Sequence, residues 1–144
     1  MNVKYHTIMA ALFLVGPGAV FATGPVESCF EQAEAKYGIS QKLLKAIAHV
    51  ESSKNPAAVN LNYRTYDIGL MQINSAWMPT IAQYGIEARD LYDACTNIDV
   101  GAWILSREIA RHGYTWRAVG YYHSPTPKLQ EHYIRIVADA LEKK

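Results

Sequence analysis

Apolar residues recur at helical spacing along most of the chain, and this spacing is the strongest constraint on how the chain can fold. The clearest stripe contains Ile98, Ala102, Leu105 and Ile109, and Thr96 is placed to cap its helix. Similar or weaker patterns predict further helices over about 30–37, 41–54, 77–84, 116–122 and 127–140. Tyr133 belongs to the inward stripe of the last of these. No alternating segment is long enough to predict a strand, so a mainly α fold is expected.

The composition is that of one globular domain. Of 144 residues, 50% are hydrophobic and 19% are charged, which is ordinary for a folded domain and unlike a disordered chain. The 14 basic and 13 acidic side chains give a formal net charge of +1, so no large positive field exists to attract a nucleic acid. We therefore expect a single domain that does not bind nucleic acid, with a monomer as the default state.

The first 22 residues have the organisation of a secretory signal peptide. Lys4 precedes an apolar run over 8–15, and small residues lead to a cleavage site after Ala22. The apolar run is shorter than the about 20 residues that cross a bilayer, and Gly-Pro-Gly at 16–18 interrupts it. We therefore expect residues 1–22 to be removed and residues 23–144 to form an exported domain that does not insert stably into a membrane.

Cys29 and Cys95 are the two cysteines of the chain. In an oxidising compartment such a pair favours a structural disulfide, which would contribute roughly 4 kcal/mol by restricting the unfolded chain. A nucleophilic cysteine paired with a histidine is the alternative, but nothing near either cysteine marks it as activated. The histidines lack the spacing of a zinc motif, so we predict neither a metal nor a cofactor.

Glu51 is a carboxylic acid at a position where the helical spacing expects an apolar residue. It lies seven residues after Leu44 and four after Ile47, on the stripe predicted to face the core. Burial and the negative end of the helix dipole both raise the pKa of a carboxyl group, so we predict that Glu51 holds and donates a proton near neutral pH. The alternative is a glutamate at the helix end that turns into water or pairs with Lys54 or Arg64.

Asp67 is the next acidic residue along the chain after Glu51. Two carboxyl groups beside a glycosidic bond can act as acid and nucleophile or as acid and base, so Asp67 is a second catalytic candidate. Its alternative role is to form a turn or cap a helix before Gly69. Gln72 and Asn74 follow among apolar residues, a mixture suited to binding an amide-bearing ligand.

Three segments, in order, resemble the motifs of one enzyme family. The segment 46–52 ends in Glu51-Ser52, the segment 69–74 reads Gly-Leu-Met-Gln-Ile-Asn, and the segment 118–122 reads Ala-Val-Gly-Tyr-Tyr. In this order they resemble the exported lytic transglycosylases with a lysozyme-like domain. Within that family the chain is similar to the small members that accompany secretion systems, pili and conjugation machinery.

The resemblance implies a lysozyme-like helical domain in the periplasm, with a cleft for peptidoglycan. It implies that Glu51 is the sole essential acid and base, which protonates the glycosidic oxygen between N-acetylmuramic acid and N-acetylglucosamine and then takes the proton from the muramic C6 hydroxyl. The product is a 1,6-anhydro sugar, and no water is consumed. The resemblance also implies that Ser52 orients Glu51, that Gln72 and the Met71 backbone line the sugar site, and that Tyr122 stands near the catalytic carboxyl.

Two departures from the family pattern leave other functions open. His123-Ser124-Pro125 follows Tyr122 where many members have Asn-Ala-Gly, and a Tyr-His-Ser run suits the conjugation or pilus branch. Asp67 stands where many larger transglycosylases have no carboxylate, so one alternative is a hydrolytic muramidase that uses Glu51 and Asp67. A second alternative is a non-catalytic assembly factor that binds peptidoglycan, and a metal- or cysteine-dependent wall peptidase is a distant third.

Overall fold

The computed structural model describes residues 24–143, and the predicted signal peptide, residues 1–22, lies outside the described residues. The described chain contains six α-helices and a three-stranded antiparallel sheet, which confirms the mainly α fold. The helices are α1 (Pro25–Tyr37), α2 (Gln41–Ser52), α3 (Met78–Ile81), α4 (Ala94–His112), α5 (Trp116–His123) and α6 (Pro127–Glu142). No helix in the range 24–143 combines the length and the apolar character needed to cross a membrane.

Polar side chains fix where the helices begin, and they agree only partly with the sequence prediction. The Ser40 hydroxyl accepts a hydrogen bond from the Lys42 backbone N–H at 3.2 Å and caps α2 as expected. The N-cap of α4 is Asp93, and the prediction of Thr96 is wrong. The Asp93 carboxylate accepts hydrogen bonds from the backbone N–H and the hydroxyl of Thr96 at 2.8 and 2.9 Å. A carboxylate also suits the positive end of the helix dipole, so α4 begins earlier than predicted.

The helix α4 is central to the core. Its stripe of Ile98, Ala102 and Leu105 is fully buried, and the helix packs against both α1 and α5. The helix α6 packs against α2 and α5. A Cys29–Cys95 disulfide, expected from the sequence, is present and joins α1 to the first turn of α4 across 66 residues, with Cα atoms 5.3 Å apart. The end of α2, which carries Glu51, is therefore held against a packed frame of helices.

The sequence pattern predicted no strand, but the structure contains three short ones in one segment. The strands β1 (Val59–Leu61), β2 (Tyr66–Ile68) and β3 (Ile73–Asn74) form a small antiparallel sheet with β2 at its centre. Strands of two or three residues are too short to display the alternation of apolar and polar residues by which strands are predicted. The register pairs Asp67 with Asn60 of β1 and with Asn74 of β3, so the sheet gathers polar side chains around Asp67.

Candidate active site

A cavity of about 580 Å³ lies between the small sheet and the helices α4, α5 and α6. Its walls are formed by the end of α2, the polar side chains of the strands, the middle of α4 and the junction between α5 and α6. Five of the residues predicted for catalysis and substrate binding line it, namely Glu51, Asp67, Gln72, Asn74 and Tyr122. The two others, Ser52 and Met71, do not line the cavity. Ser52 contacts the turn that carries Gln72, which does, and Met71 is part of that turn.

Glu51 lies in the last turn of α2 and lines the cavity, with its carboxyl group mostly buried. The pKa of Glu51 is raised to about 7, chiefly because burial removes solvation from the charged form; the negative charge of Asp67 acts in the same direction, and the hydrogen bond from Tyr133 acts against it. Within residues 24–143 Glu51 forms no ion pair, so it is not paired with Lys54 or Arg64. Near neutral pH this carboxyl group therefore exists in both its protonated and its ionised form.

Tyr133 of α6 is the direct hydrogen-bond partner of Glu51, whereas the helical spacing predicted only a core position for it. Its hydroxyl donates to Oε1 of Glu51 at 2.5 Å, and its side chain is 2% exposed. Burial raises the pKa of Tyr133 well above its ordinary value, so the hydroxyl keeps its proton and remains a donor. The ring of His123 stacks on that of Tyr133 with centroids 4.4 Å apart and planes 3° apart. The stacked rings of His123 and Tyr133 therefore fix the direction from which the Tyr133 hydroxyl donates to Glu51.

Asp67 lies in the central strand, where two asparagine side chains hold its carboxylate. Asn74 donates to Oδ1 at 2.7 Å, and Asn62 donates to Oδ2 at 2.8 Å. Asn74 also accepts a hydrogen bond from the Ala76 backbone N–H at 2.9 Å, which ties the strand to the segment that follows. Asp67 therefore neither forms a turn nor caps a helix, and it faces the same cavity as Glu51.

Ser52 and Tyr122 bind two consecutive carbonyl groups in the turn between β2 and β3. The Ser52 hydroxyl donates to the carbonyl of Leu70 at 2.7 Å, and the Tyr122 hydroxyl donates to the carbonyl of Met71 at 2.8 Å. The Met71 side chain is fully buried against Gly101, where a Cβ atom would come within 2.6 Å of its Sδ. Ser52 thus holds the end of α2 to the turn, and Tyr122 holds α5 to the same turn, while Met71 anchors the turn in the core.

The turn between β2 and β3 is built on Asn97, a fully buried polar residue of α4. Its Oδ1 accepts from the Met71 backbone N–H at 2.7 Å, and its Nδ2 donates to the carbonyls of Ile68 and Leu91, each at 2.9 Å. Gly69 has a φ of +78°, and a Cβ there would lie 2.3 Å from Nδ2 of Asn97, so only glycine fits. The asparagine and the glycine therefore fix the path of the backbone beside the cavity.

Gln72 closes this turn and leaves one polar atom without a partner. Its Nε2 donates to the Gly69 carbonyl at 2.9 Å and to the Ala58 carbonyl at 3.3 Å, and its backbone has a φ of +49°. Its Oε1 is buried and has no hydrogen-bond partner among the described residues. Because a buried acceptor without a partner is costly, this oxygen is suited to an N–H or O–H donor of a bound ligand.

The sequence model described as a transglycosylase SLT domain matches residues 28–134. The chain belongs to this family. The matched range begins just before the disulfide cysteine of α1 and ends just after Tyr133, so it includes Glu51, Asp67 and every other cavity residue described above.

Three curated relatives of this chain are an invasion protein, a peptidoglycan-binding-like protein and an X polypeptide. The invasion protein IagB of Salmonella typhimurium is 43% identical over 100 residues, which are 68% of this chain and 62% of that protein. A peptidoglycan-binding-like protein of Escherichia coli O157:H7 is 35% identical over 132 residues, or 85% of this chain and 77% of that protein. An X polypeptide of Escherichia coli is 38% identical over 116 residues, or 79% of this chain and 69% of that protein. The chain thus spans less than two thirds of the invasion protein that it matches.

The cavity is equipped for proton transfer. Within residues 24–143 no group of three or more His, Cys, Asp or Glu side chains is arranged to hold a metal ion. The groups present are a carboxyl group with a pKa of about 7, a second carboxyl group held by two amides, and buried tyrosine hydroxyls whose pKa values burial raises. A member of this family with these groups can donate a proton to a ligand oxygen and recover one from a ligand hydroxyl.

Proposed function

We propose that the protein is a peptidoglycan lytic transglycosylase and that Glu51 is its acid and base. The protonated carboxyl of Glu51 gives its proton to the glycosidic oxygen as the bond from C1 of N-acetylmuramic acid breaks. The resulting carboxylate then takes the proton of the muramic C6 hydroxyl, whose oxygen bonds to C1. Atoms and charge balance without water, and the products are a 1,6-anhydro-muramyl end and a free 4-hydroxyl on N-acetylglucosamine.

The observation that carries this proposal is the environment of Glu51. A group that donates and then accepts a proton works best when its pKa is near the working pH, and burial raises the pKa of Glu51 to about 7. The remaining site residues have supporting roles in the proposal. Ser52 and Tyr122 hold the backbone at Leu70 and Met71, and Gln72 and Asn74 meet the polar groups of the sugar.

A hydrolytic muramidase is the second candidate, and Asp67 favours it. Asp67 lines the same cavity and lies near enough for its charge to raise the pKa of Glu51. In such an enzyme Asp67 would act as nucleophile or activate water, and the product would carry a reducing end. Against this role, both oxygens of Asp67 already accept hydrogen bonds, one from Asn74 of β3 and one from Asn62 of the segment between β1 and β2.

The deciding experiment is mass spectrometry of the muropeptides that the purified protein releases from sacculi. Wild-type protein, Glu51→Gln and Asp67→Asn are compared, with Asp99→Asn, an aspartate on the far side of α4 paired with Lys36, as the matched control. Anhydro-muramyl products that vanish with Glu51→Gln and persist with Asp67→Asn support the transglycosylase. Reducing-end products that need both residues would replace it by the muramidase. Release that survives Glu51→Gln would overturn the role of Glu51 in either reaction.

We further propose that residues 1–22 direct the protein to the periplasm, where it opens the wall locally for a secretion, pilus or conjugation machine. The names of its relatives, an invasion protein and a peptidoglycan-binding-like protein, support a task at the cell wall. The competing idea is an assembly factor that only binds peptidoglycan. A deletion strain that regains secretion or transfer with wild-type protein but not with Glu51→Gln supports the enzyme, whereas equal restoration by both supports the assembly factor.

A further inference from the structure

Glu108 of α4 is a buried acidic side chain in the cavity wall that the proposed reaction does not use. It is 7% exposed, and it lines the cavity together with Ile104, which lies one turn earlier on the same helix. Acidic side chains are almost never buried unless something pairs with them or uses them. Arg111 and His112 pair with Glu108 from outside the cavity lining, so Glu108 is a candidate for binding because it is the member of this group that lines the cavity.

The partners of Glu108 hold its carboxyl group without covering it. Arg111 approaches Oε1 at 3.3 Å and His112 approaches Oε2 at 3.6 Å, and neither residue lines the cavity. The Arg111 contact is the one hydrogen bond to this carboxyl group among residues 24–143, and the His112 distance is too long for another. Since a carboxylate can accept about four hydrogen bonds, Glu108 keeps acceptor capacity for a ligand.

Two aromatic side chains of the cavity lining supply apolar surface for a sugar ring. The ring of Tyr121 stacks with that of His112, with centroids 4.1 Å apart and planes 11° apart, so the residue that contacts Glu108 also fixes Tyr121. Trp77 packs edge-on against Trp103 with centroids 5.6 Å apart. Tyr121 and Trp77 both line the cavity. Rigid aromatic surface and a hydrogen-bond acceptor in one cavity are a combination suited to a carbohydrate.

The charge of the cavity selects among the sugars of a cell-wall glycan. The lining lies wholly within the described residues and includes the three acidic side chains Glu51, Asp67 and Glu108 but no lysine or arginine. Arg111 offsets part of the charge of Glu108. Asp67 and the ionised form of Glu51 would still repel a ligand group carrying a carboxylate, because like charges in a partly buried site interact strongly. An N–H donor would be attracted, because hydrogen bonds to a charged acceptor are stronger than those to a neutral one.

We propose that Glu108, Tyr121 and Trp77 form a subsite for an amino sugar that presents an N–H donor and carries no carboxylate. The donor is either the amide of an N-acetylglucosamine unit or the ammonium of a de-N-acetylated glucosamine unit. Glu108 accepts its hydrogen bond while the aromatic side chains contact the ring. This inference rests on the proposed function for the choice of a wall glycan as ligand, but binding can be measured without turnover.

Isothermal titration of the Glu51→Gln protein tests the subsite, with tetramers of N-acetylglucosamine and of glucosamine as probes. The probe that binds more tightly identifies the amide or the ammonium as the donor. The further substitution Glu108→Gln keeps the shape of the side chain and removes its charge. It is expected to lower the affinity for that probe about tenfold. Adding Glu31→Gln, an exposed glutamate of α1 outside the cavity, is expected to leave binding unchanged.

Unchanged affinity of both probes in the Glu108→Gln protein would overturn the subsite, even if that protein were less stable, because a purely structural role alters stability alone. If the Glu108→Gln variant does not fold, nuclear magnetic resonance of the wild-type protein tests the subsite instead. Shifts of the Trp77 indole and Tyr121 signals on addition of the tighter probe support the subsite, and the absence of such shifts overturns it. Release of anhydro-muropeptides is a separate measurement, so a failure of the subsite is distinguishable from a failure of the proposed reaction.

Discussion

The hydroxyl of Tyr133 donates a hydrogen bond to Oε1 of Glu51 across 82 residues of sequence, at 2.5 Å. This bond favours the ionised carboxylate, whereas burial and the charge of Asp67 favour the protonated acid. Burial is the largest of these influences and raises the pKa to about 7, and the tyrosine limits the rise. The pair therefore sets how readily Glu51 gives up its proton and takes one back.

Tyr133→Phe is expected to raise the pKa of Glu51 above about 7, because it removes the hydrogen bond that lowers this pKa. Since Glu51 must be protonated to start the reaction, the alkaline limb of the profile of kcat/KM against pH moves to higher pH. The maximal rate falls by about tenfold, because the carboxyl group loses its fixed orientation. Muropeptide release measured from pH 5 to 9 checks this. An alkaline limb that stays in place would contradict the assigned role of the hydroxyl.

Asp67→Asn is expected to move the alkaline limb of the profile of kcat/KM against pH to lower pH. The charge of Asp67 raises the pKa of Glu51, so removing that charge lowers the pKa and shifts the alkaline limb to lower pH. The variant also loses about 1 kcal/mol of stability, because Asn62 and Asn74 donate to different oxygens of Asp67 and the amide nitrogen that replaces one of these oxygens cannot accept. The pH profile of Asp99→Asn serves as the comparison. A shift to higher pH, or none, would show that the charge of Asp67 does not reach Glu51.

Glu51→Gln is expected to be more stable than the wild type at pH 8 and equally stable at pH 4. The pKa of Glu51 is about 7 in the folded protein against an ordinary value of 4.5, so between these values the folded state binds more protons than the unfolded state. The free energy of unfolding of the wild type therefore falls as pH rises through this window. The full loss, up to about 3 kcal/mol, is reached above pH 7. Urea unfolding at both pH values checks the difference between the proteins, with Glu31→Gln as control. Equal stability of the two proteins at pH 8 would mean that burial of the ionised Glu51 does not destabilise the folded state.

Local sequence pattern was sufficient to predict the helices and the position of Glu51, because both depend on spacing within one helix. The same spacing placed Tyr133 on the inward stripe of α6 but gave no sign of its bond to Glu51, since a tyrosine on such a stripe resembles ordinary core. The small sheet was missed because its strands have only two or three residues each. Asn97 and Glu108 lie on a helix whose apolar stripe was predicted correctly, yet their roles depend on carbonyl groups and charges that only the fold brings near them.

Asn97→Ala is expected to lower the free energy of unfolding by about 3 kcal/mol, since it leaves the Met71 N–H and the carbonyls of Ile68 and Leu91 buried without partners. Asn60→Ala, an exposed asparagine of β1, changes stability by no more than about 0.5 kcal/mol and is the matched control. Activity falls with Asn97→Ala at temperatures where the protein remains folded, because the turn carrying Gln72 loses its anchor. Urea unfolding gives the stability, and hydrogen exchange of the Met71 amide locates the change. A loss below about 1 kcal/mol with an unchanged Met71 amide would mean that other contacts hold the turn.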